Sequence, residues 1–177
     1  MTTRVAFLRA VNVGRRRVAN TRLVGILEGL GYDDVWTFVN SGNAVFTAVG
    51  VRAELEKAIR TALEADVGFE VTTFVRSAAE LRTALDRRPF DVGPGDTYFV
   101  TFLQDRPSAD QRRALEALSN AMDTLVVDGR DVHWLMHGRS TESTLVKRQW
   151  ERILGPESST SRNTTMLTRL LAKLDAR

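Results

Sequence analysis

The sequence predicts an α+β fold built from two ferredoxin-like units, and three observations carry that expectation. Short apolar runs of β type alternate with helical apolar stripes in the order β-α-β-β-α-β. The same order restarts at Tyr98, and a hairpin signal occupies the matching place in each round. Two βαββα(β) units packed together follow, with mainly antiparallel sheets and a helix at the C-terminal end.

The first round reads from the start of the chain. Val5–Leu8 is an apolar strand, and Asn20 is placed to cap a helix whose stripe is Leu23, Ile26, Leu27 and Leu30 before Gly31 ends it. Val35–Val39 and Ala44–Thr47 pair as a hairpin across Asn40-Ser41-Gly42-Asn43, with Asp33-Asp34 as a turn ahead of it. Leu55, Ala58, Ile59, Ala62 and Leu63 have helical spacing, and Glu70–Val75 closes the unit as a strand. Ser77-Ala78-Ala79-Glu80 is a capping box for a short helix, followed by a loop through Pro89 and Gly93-Pro94-Gly95. The expected division is 1–76, a connecting helix and loop over 77–96, and a second unit over 97–177.

In the second round Tyr98–Leu103 is a strand, and Ser108-Ala109-Asp110-Gln111 is another capping box. The helix it opens is read as turning Ala114, Leu115, Leu118, Ala121 and Met122 inward. Leu125–Val127 and Val132–Met136 flank Asp128-Gly129, a strong hairpin signal read as a type I′ turn. A helix with Leu145, Val146, Gln149, Trp150 and Ile153 follows, then Gly155-Pro156 and a Ser/Thr-rich linker. The last helix presents Met166, Leu167, Leu170, Leu171 and Leu174, a stripe suited to closing the core or to a homodimer contact. On this reading a helix replaces the second unit's closing strand.

Composition narrows the chemistry. At 177 residues and 43% hydrophobic, the chain can build a packed core. It has no cysteine, hence no disulfide, thiol nucleophile or cysteine-ligated metal. The apolar run before Arg9 is too short for a signal peptide, and no segment approaches membrane-spanning length, so a cytoplasmic location without membrane contact is expected. The net charge of +3 is unevenly spread: residues 1–32 carry six arginines against Glu28 alone, and residues 139–177 carry eight basic against four acidic residues. The chain ends are thus the basic parts, suited to an anionic small molecule or a nucleic acid.

Topology brings the polar loops together. In a β-α-β-β-α-β unit, the loop after the first strand, the hairpin turn and the start of the first helix share one edge. A helix start favours anions through its unpaired amides and dipole. Asn12, Asn40, Ser41 and Asn43 offer hydrogen bonds there, Gly14 and Gly42 permit close approach, and Arg9, Arg15, Arg16 and Arg17 supply guanidinium groups. Each piece also has a plain structural use: Asn and Gly are ordinary turn residues, and three arginines can be a solvated loop. In the second unit, Ser140–Thr144 with Lys147 reads as hydroxyl caps for the following helix. With Arg162 and Asn163 at the last helix, the same groups are alternatively a second anion site.

Other motifs carry less. His133 and His137 lack a carboxylate to complete a metal set, Ser41 lacks a histidine base, and Gly93-Pro94-Gly95 matches neither the P-loop nor the dinucleotide fingerprint. No metal site is therefore expected, and the sequence leaves the cofactor unknown. Trp36, Trp134 and Trp150 fall on strand or helix faces and read as core.

Three stretches resemble signatures of a bacterial family known only as domain of unknown function 1697: Leu8–Gly14, Val39–Phe46 and Ser161–Thr164. The likeness spans essentially the whole chain. It implies an α+β fold with ferredoxin-like units and no established reaction. The family pattern has glycine where Ala10 and Arg15 stand and an aromatic residue where Thr164 stands. Three classes of function stay open: a binding protein for an anionic ligand (nucleotide, phosphorylated metabolite or nucleic acid), an enzyme acting on a phosphorylated small molecule, and an oligomeric interaction module.

Overall fold

The computed structural model describes residues 1–12, 14, 16–39 and 42–177. The chain divides into two compact units, Met1–Leu81 and Arg82–Arg177. The first contains β1 (Thr2–Leu8), α1 (Asn20–Gly29), β2 (Asp33–Thr37), β3 (Asn43–Ala48), α2 (Arg52–Val67) and β4 (Thr73–Ser77), and α3 (Ala78–Asp86) crosses the division. The second contains β5 (Thr97–Leu103), α4 (Ala109–Glu116), β6 (Asp123–Asp128), β7 (Asp131–Met136), α5 (Lys147–Leu154), β8 (Ser159–Asn163) and α6 (Thr164–Asp175). The sheets run β2-β3-β1-β4 and β6-β7-β5-β8, every pairing antiparallel. Both are the order of a split β-α-β unit, which gives the α+β architecture read from the sequence.

Within the first unit, Ala6, Leu8, Ala44, Phe46 and Val75 share a cluster with Leu23 and Leu27 of α1 and Leu55, Ile59 and Leu63 of α2. The four-residue helical spacing and the two-residue strand spacing put these side chains on facing surfaces. Each large one contributes about 1.5–3 kcal/mol by leaving water. Tyr32 stacks on Phe46 with ring centres 4.8 Å apart. In the second unit Leu103, Leu115, Leu125, Val127, Val132 and Trp150 form the core, and Trp134 leans on Trp150 at 5.5 Å. Leu167, Leu170 and Leu171 are buried within the single chain, so the C-terminal stripe closes a core.

Both edges nearest a helix carry the same device. Glu56 of α2 accepts the Val75 N–H of edge strand β4 at 2.9 Å and the Arg52 guanidinium at 2.7 Å. Glu116 of α4 accepts the Val127 N–H of edge strand β6 at 3.0 Å and pairs with Arg112 at 3.2 Å. A carboxylate that takes up a free strand amide leaves that edge less able to recruit another chain.

Several local expectations change. Ala19, with no side-chain cap, precedes α1, and its carbonyl accepts the Leu23 N–H; Asn20 is already helical. Asp33 and Asp34 lie in β2 at an irregularity between Asp33 and Trp36, with Asp34 at φ +49°, and do not form a separate turn. In the β6–β7 turn Gly129 has φ +62° while Arg130 is not in the left-handed region, so the turn lacks the two positive φ angles of type I′. The α4 helix ends at Glu116, so Leu118 reaches the core from the loop and Ala121 is exposed. The Ser/Thr-rich linker is in fact strand β8, Thr160 pairing with Phe102 and Arg162 with Val100, so both units have a closing strand. Its five residues lack an apolar pattern; pairing with the open edge of β5 makes them a strand.

Both capping boxes form. Ser77 and Glu80 exchange bonds of 2.7 and 3.1 Å, and Ser108 and Gln111 bonds of 2.9 and 3.1 Å. Among the described residues, no helix is long and apolar enough to cross a membrane.

Candidate functional site

The edge assembled from the first loop and the hairpin turn is held by backbone contacts. Where β1 ends, the Leu8 N–H donates to the Gly42 carbonyl at 2.8 Å, and the Arg9 N–H donates to the Thr72 carbonyl at 2.9 Å. The turn and the β4 approach thus clasp the strand end from both sides. The chain then takes left-handed angles at Ala10 (φ +53°), Asn12 (φ +59°) and Gly14 (φ +59°). The Asn12 N–H donates to the Arg16 carbonyl at 2.7 Å, and the Asn12 Oδ1 accepts the Val18 N–H at 3.2 Å. Val11 and Val18 sink into the core, so the loop is pinned at two points, and between them Arg16 and Arg17 are exposed.

Across from it, the Phe38 N–H donates to the Asn43 carbonyl at 3.0 Å, and the Asn43 Nδ2 donates back to the Phe38 carbonyl at 3.1 Å. Asn43 is fully buried. Val39 has φ +52° with its side chain exposed, an unusual state for a β-branched residue. Gly42, at φ +68°, allows the closest approach: a Cβ there would lie 2.3 Å from Val11 Cγ2 and 3.0 Å from Leu8 Cβ. Glycine is what lets the turn touch the loop.

The structure therefore brings Arg9, Asn12, Gly14, Arg16, Gly42 and Asn43 to one edge of the first unit. Arg15, Asn40 and Ser41 lie outside the described residues. Asn12 and Asn43 each spend an amide atom on the backbone, so both build the edge. Arg9 is half-buried, while Arg16 and Arg17 are exposed and make no ion pair among the described residues. The Arg16 Cζ lies 5.5 Å from the centre of the Phe69 ring. At the same edge α1 begins with no side-chain cap and no acidic residue in its first turn.

Phe69 and Thr72 also shape the edge and escaped the sequence reading. The available signal was Gly68, which caps α2 at φ +76° and redirects the chain so that the aromatic residue after it sits beside the loop.

Arg162 and Asn163 belong to the second unit. Asn163 caps α6, its Oδ1 accepting the Thr165 N–H at 2.8 Å. Arg162 lies on β8, where it donates to Thr160 Oγ1 at 2.8 Å and the Ser161 carbonyl at 2.9 Å; burial lowers its pKa to about 10. It stays charged at neutral pH. Thr164 donates to the Tyr98 carbonyl at 3.2 Å, tying α6 to β5.

The Ser140–Thr144 hydroxyls do not cap α5. Ser143 Oγ donates to the buried Asp123 carboxylate at 2.8 Å and accepts the Leu145 N–H at 3.1 Å, while the Gln149 side chain accepts the Val146 N–H at the start of α5. Asp123 also accepts the Trp134 indole N–H at 2.8 Å, so this cluster ties a loop to the sheet. His133 is buried with its Nδ1 2.5 Å from the Tyr98 hydroxyl. Burial lowers the His133 pKa, an effect partly opposed by Asp128, and raises the Tyr98 pKa to about 12. His137 lies apart, its Nδ1 3.5 Å from Asp96. Among the described residues no three His, Cys, Asp or Glu groups converge as a metal set.

None of the curated proteins matches the chain. Among solved structures it is similar to the conserved bacterial protein SP0830 from Streptococcus pneumoniae, with 20% identity over 99% of each chain and a TM-score of 0.72. At that identity the likeness is one of fold. A family model described as protein of unknown function (DUF1697) matches residues 1–133, three quarters of the chain and the whole of the loop-and-turn edge. The chain belongs to the DUF1697 family.

Proposed function

We propose that the protein is a cytoplasmic binding protein for an anionic ligand that docks on the loop-and-turn edge of the first unit. The ligand classes are nucleotides, phosphorylated metabolites and nucleic acid. The observation that carries this reading is the pair of exposed guanidinium groups, Arg16 and Arg17, on a loop braced against the β2–β3 turn. Free guanidinium groups match phosphate and carboxylate oxygens in two-point contacts. The start of α1 adds backbone amides with no competing acid. Left-handed angles at Ala10, Asn12 and Val39 agree with it, because local strain gathers where a loop is shaped for a task. In this reading Asn12 and Asn43 hold the loops in place and the arginines meet the ligand.

The test is a thermal-shift and titration series with inorganic phosphate, phosphorylated metabolites, nucleotides and heparin, on the natural chain and on Arg16→Ala/Arg17→Ala. A ligand at a hundred times its Kd stabilises the native state by about 2.7 kcal/mol, well within detection. Binding should weaken as salt rises and be lost in the double variant. Salt-insensitive binding, or unchanged binding after both substitutions, would overturn the proposal.

A further inference from the structure

The contact between Arg16 and Phe69 adds chemistry that a bare anion site does not need. A guanidinium group is a flat, delocalised cation that stacks on aromatic rings and on nucleobases alike. Arg16 remains exposed while its Cζ sits over the half-buried ring of Phe69. Phe69 itself packs against the first unit's core, so the platform rests on a fixed part of the fold. Anchoring restricts a long side chain before any ligand arrives, which lowers the ordering cost of binding. Arg17, next in the chain and also exposed, stands ready for a phosphate.

We propose that Arg16, held over Phe69, is a stacking platform for a nucleobase, and that the anion at this edge is the phosphate of a nucleotide. The nucleotide is either free or part of a single strand. This inference rests on the anion-site reading above and adds the base. Sheet-face readout as in RNA-binding ferredoxin-like domains is not involved, because the platform lies on the α2–β4 connection beside the first loop.

The experiment titrates AMP, ribose 5-phosphate and an eight-residue oligoadenylate into the natural chain, Arg16→Lys and Phe69→Leu. AMP and ribose 5-phosphate share the phosphate and the sugar and differ in the base. One stacked base corresponds to AMP binding roughly tenfold tighter than ribose 5-phosphate. Arg16→Lys keeps the charge and loses the plane; at this exposed position it should leave the melting temperature unchanged and abolish the AMP advantage. Phe69→Leu should act in the same direction. Equal affinity for AMP and ribose 5-phosphate overturns the base platform and leaves the anion site standing. An AMP advantage that survives Arg16→Lys overturns the assignment to this side chain. No binding of any of the three overturns both readings. The oligoadenylate separates the sources: tighter binding than AMP, with steep salt dependence, identifies a strand, and binding no tighter than AMP identifies the free nucleotide.

Discussion

Replacing Gly42 with alanine tests the contact on which the whole edge depends. Two costs add. At φ +68° an L-residue sits in the left-handed region, at about 1 kcal/mol. The new methyl would also lie 2.3 Å from Val11 Cγ2 and 3.0 Å from Leu8 Cβ. Val11 is 6% and Leu8 2% exposed, so neither can swing into solvent, and valine's χ1 is stiff. Overpacking of that kind costs about 1–3 kcal/mol, so Gly42→Ala should lose about 2–4 kcal/mol in total. Gly68→Ala is the matched control: its φ is +76° and no atom lies within 4 Å of the added carbon, leaving only the conformational cost of about 1 kcal/mol. Urea denaturation measures the global loss, and amide exchange at Leu8, whose N–H donates to the Gly42 carbonyl, measures the local one. If Gly42→Ala loses no more than Gly68→Ala and Leu8 stays protected, the turn does not pack on the loop and the edge as described is wrong.

Two further outcomes concern stability. Glu56→Ala leaves the Val75 N–H of β4 without its buried acceptor and should lose about 2–3 kcal/mol, whereas Glu56→Gln keeps an acceptor and should lose about 1 kcal/mol; equal losses in urea unfolding would show that the edge bond contributes little. His133 resists protonation in the fold, so the unfolded state binds its proton first. Stability should be level above about pH 6.5 and fall below it by up to about 1.4 kcal/mol per pH unit. His133→Gln should flatten that limb, and an unchanged slope would assign the acid sensitivity to other groups.

The parts of this fold readable in advance were those set by local chemistry. The unbroken apolar run Val5–Leu8, the capping boxes at Ser77 and Ser108 and the four-residue stripes of Leu23–Leu27 and Leu55–Leu63 each express a short-range rule. Elements whose state depends on a distant partner were misread. Ser159–Asn163 has no strand pattern and becomes β8 only by pairing with β5. The Ser140–Thr144 hydroxyls look like helix caps until the fold brings Asp123 to Ser143.

For the site, sequence by itself determined that the Asn- and Gly-containing first loop, with Arg16 and Arg17, and the hairpin turn share one edge, because the order β-α-β-β-α-β puts both at the same end of the sheet. The division of labour was decided by tertiary structure alone. Asn12 and Asn43 have the same donors and acceptors as any ligand-binding amide, and only their distances to Val18 and Phe38 show them bound to the backbone. Gly42 reads as a common turn residue until Val11 arrives where its side chain would stand. Phe69 acquires a partner only when the α2–β4 connection is laid beside Arg16. Residue type and local periodicity act within a few positions along the chain, whereas hydrogen-bond saturation, close approach and stacking are relations between segments that only folding brings together.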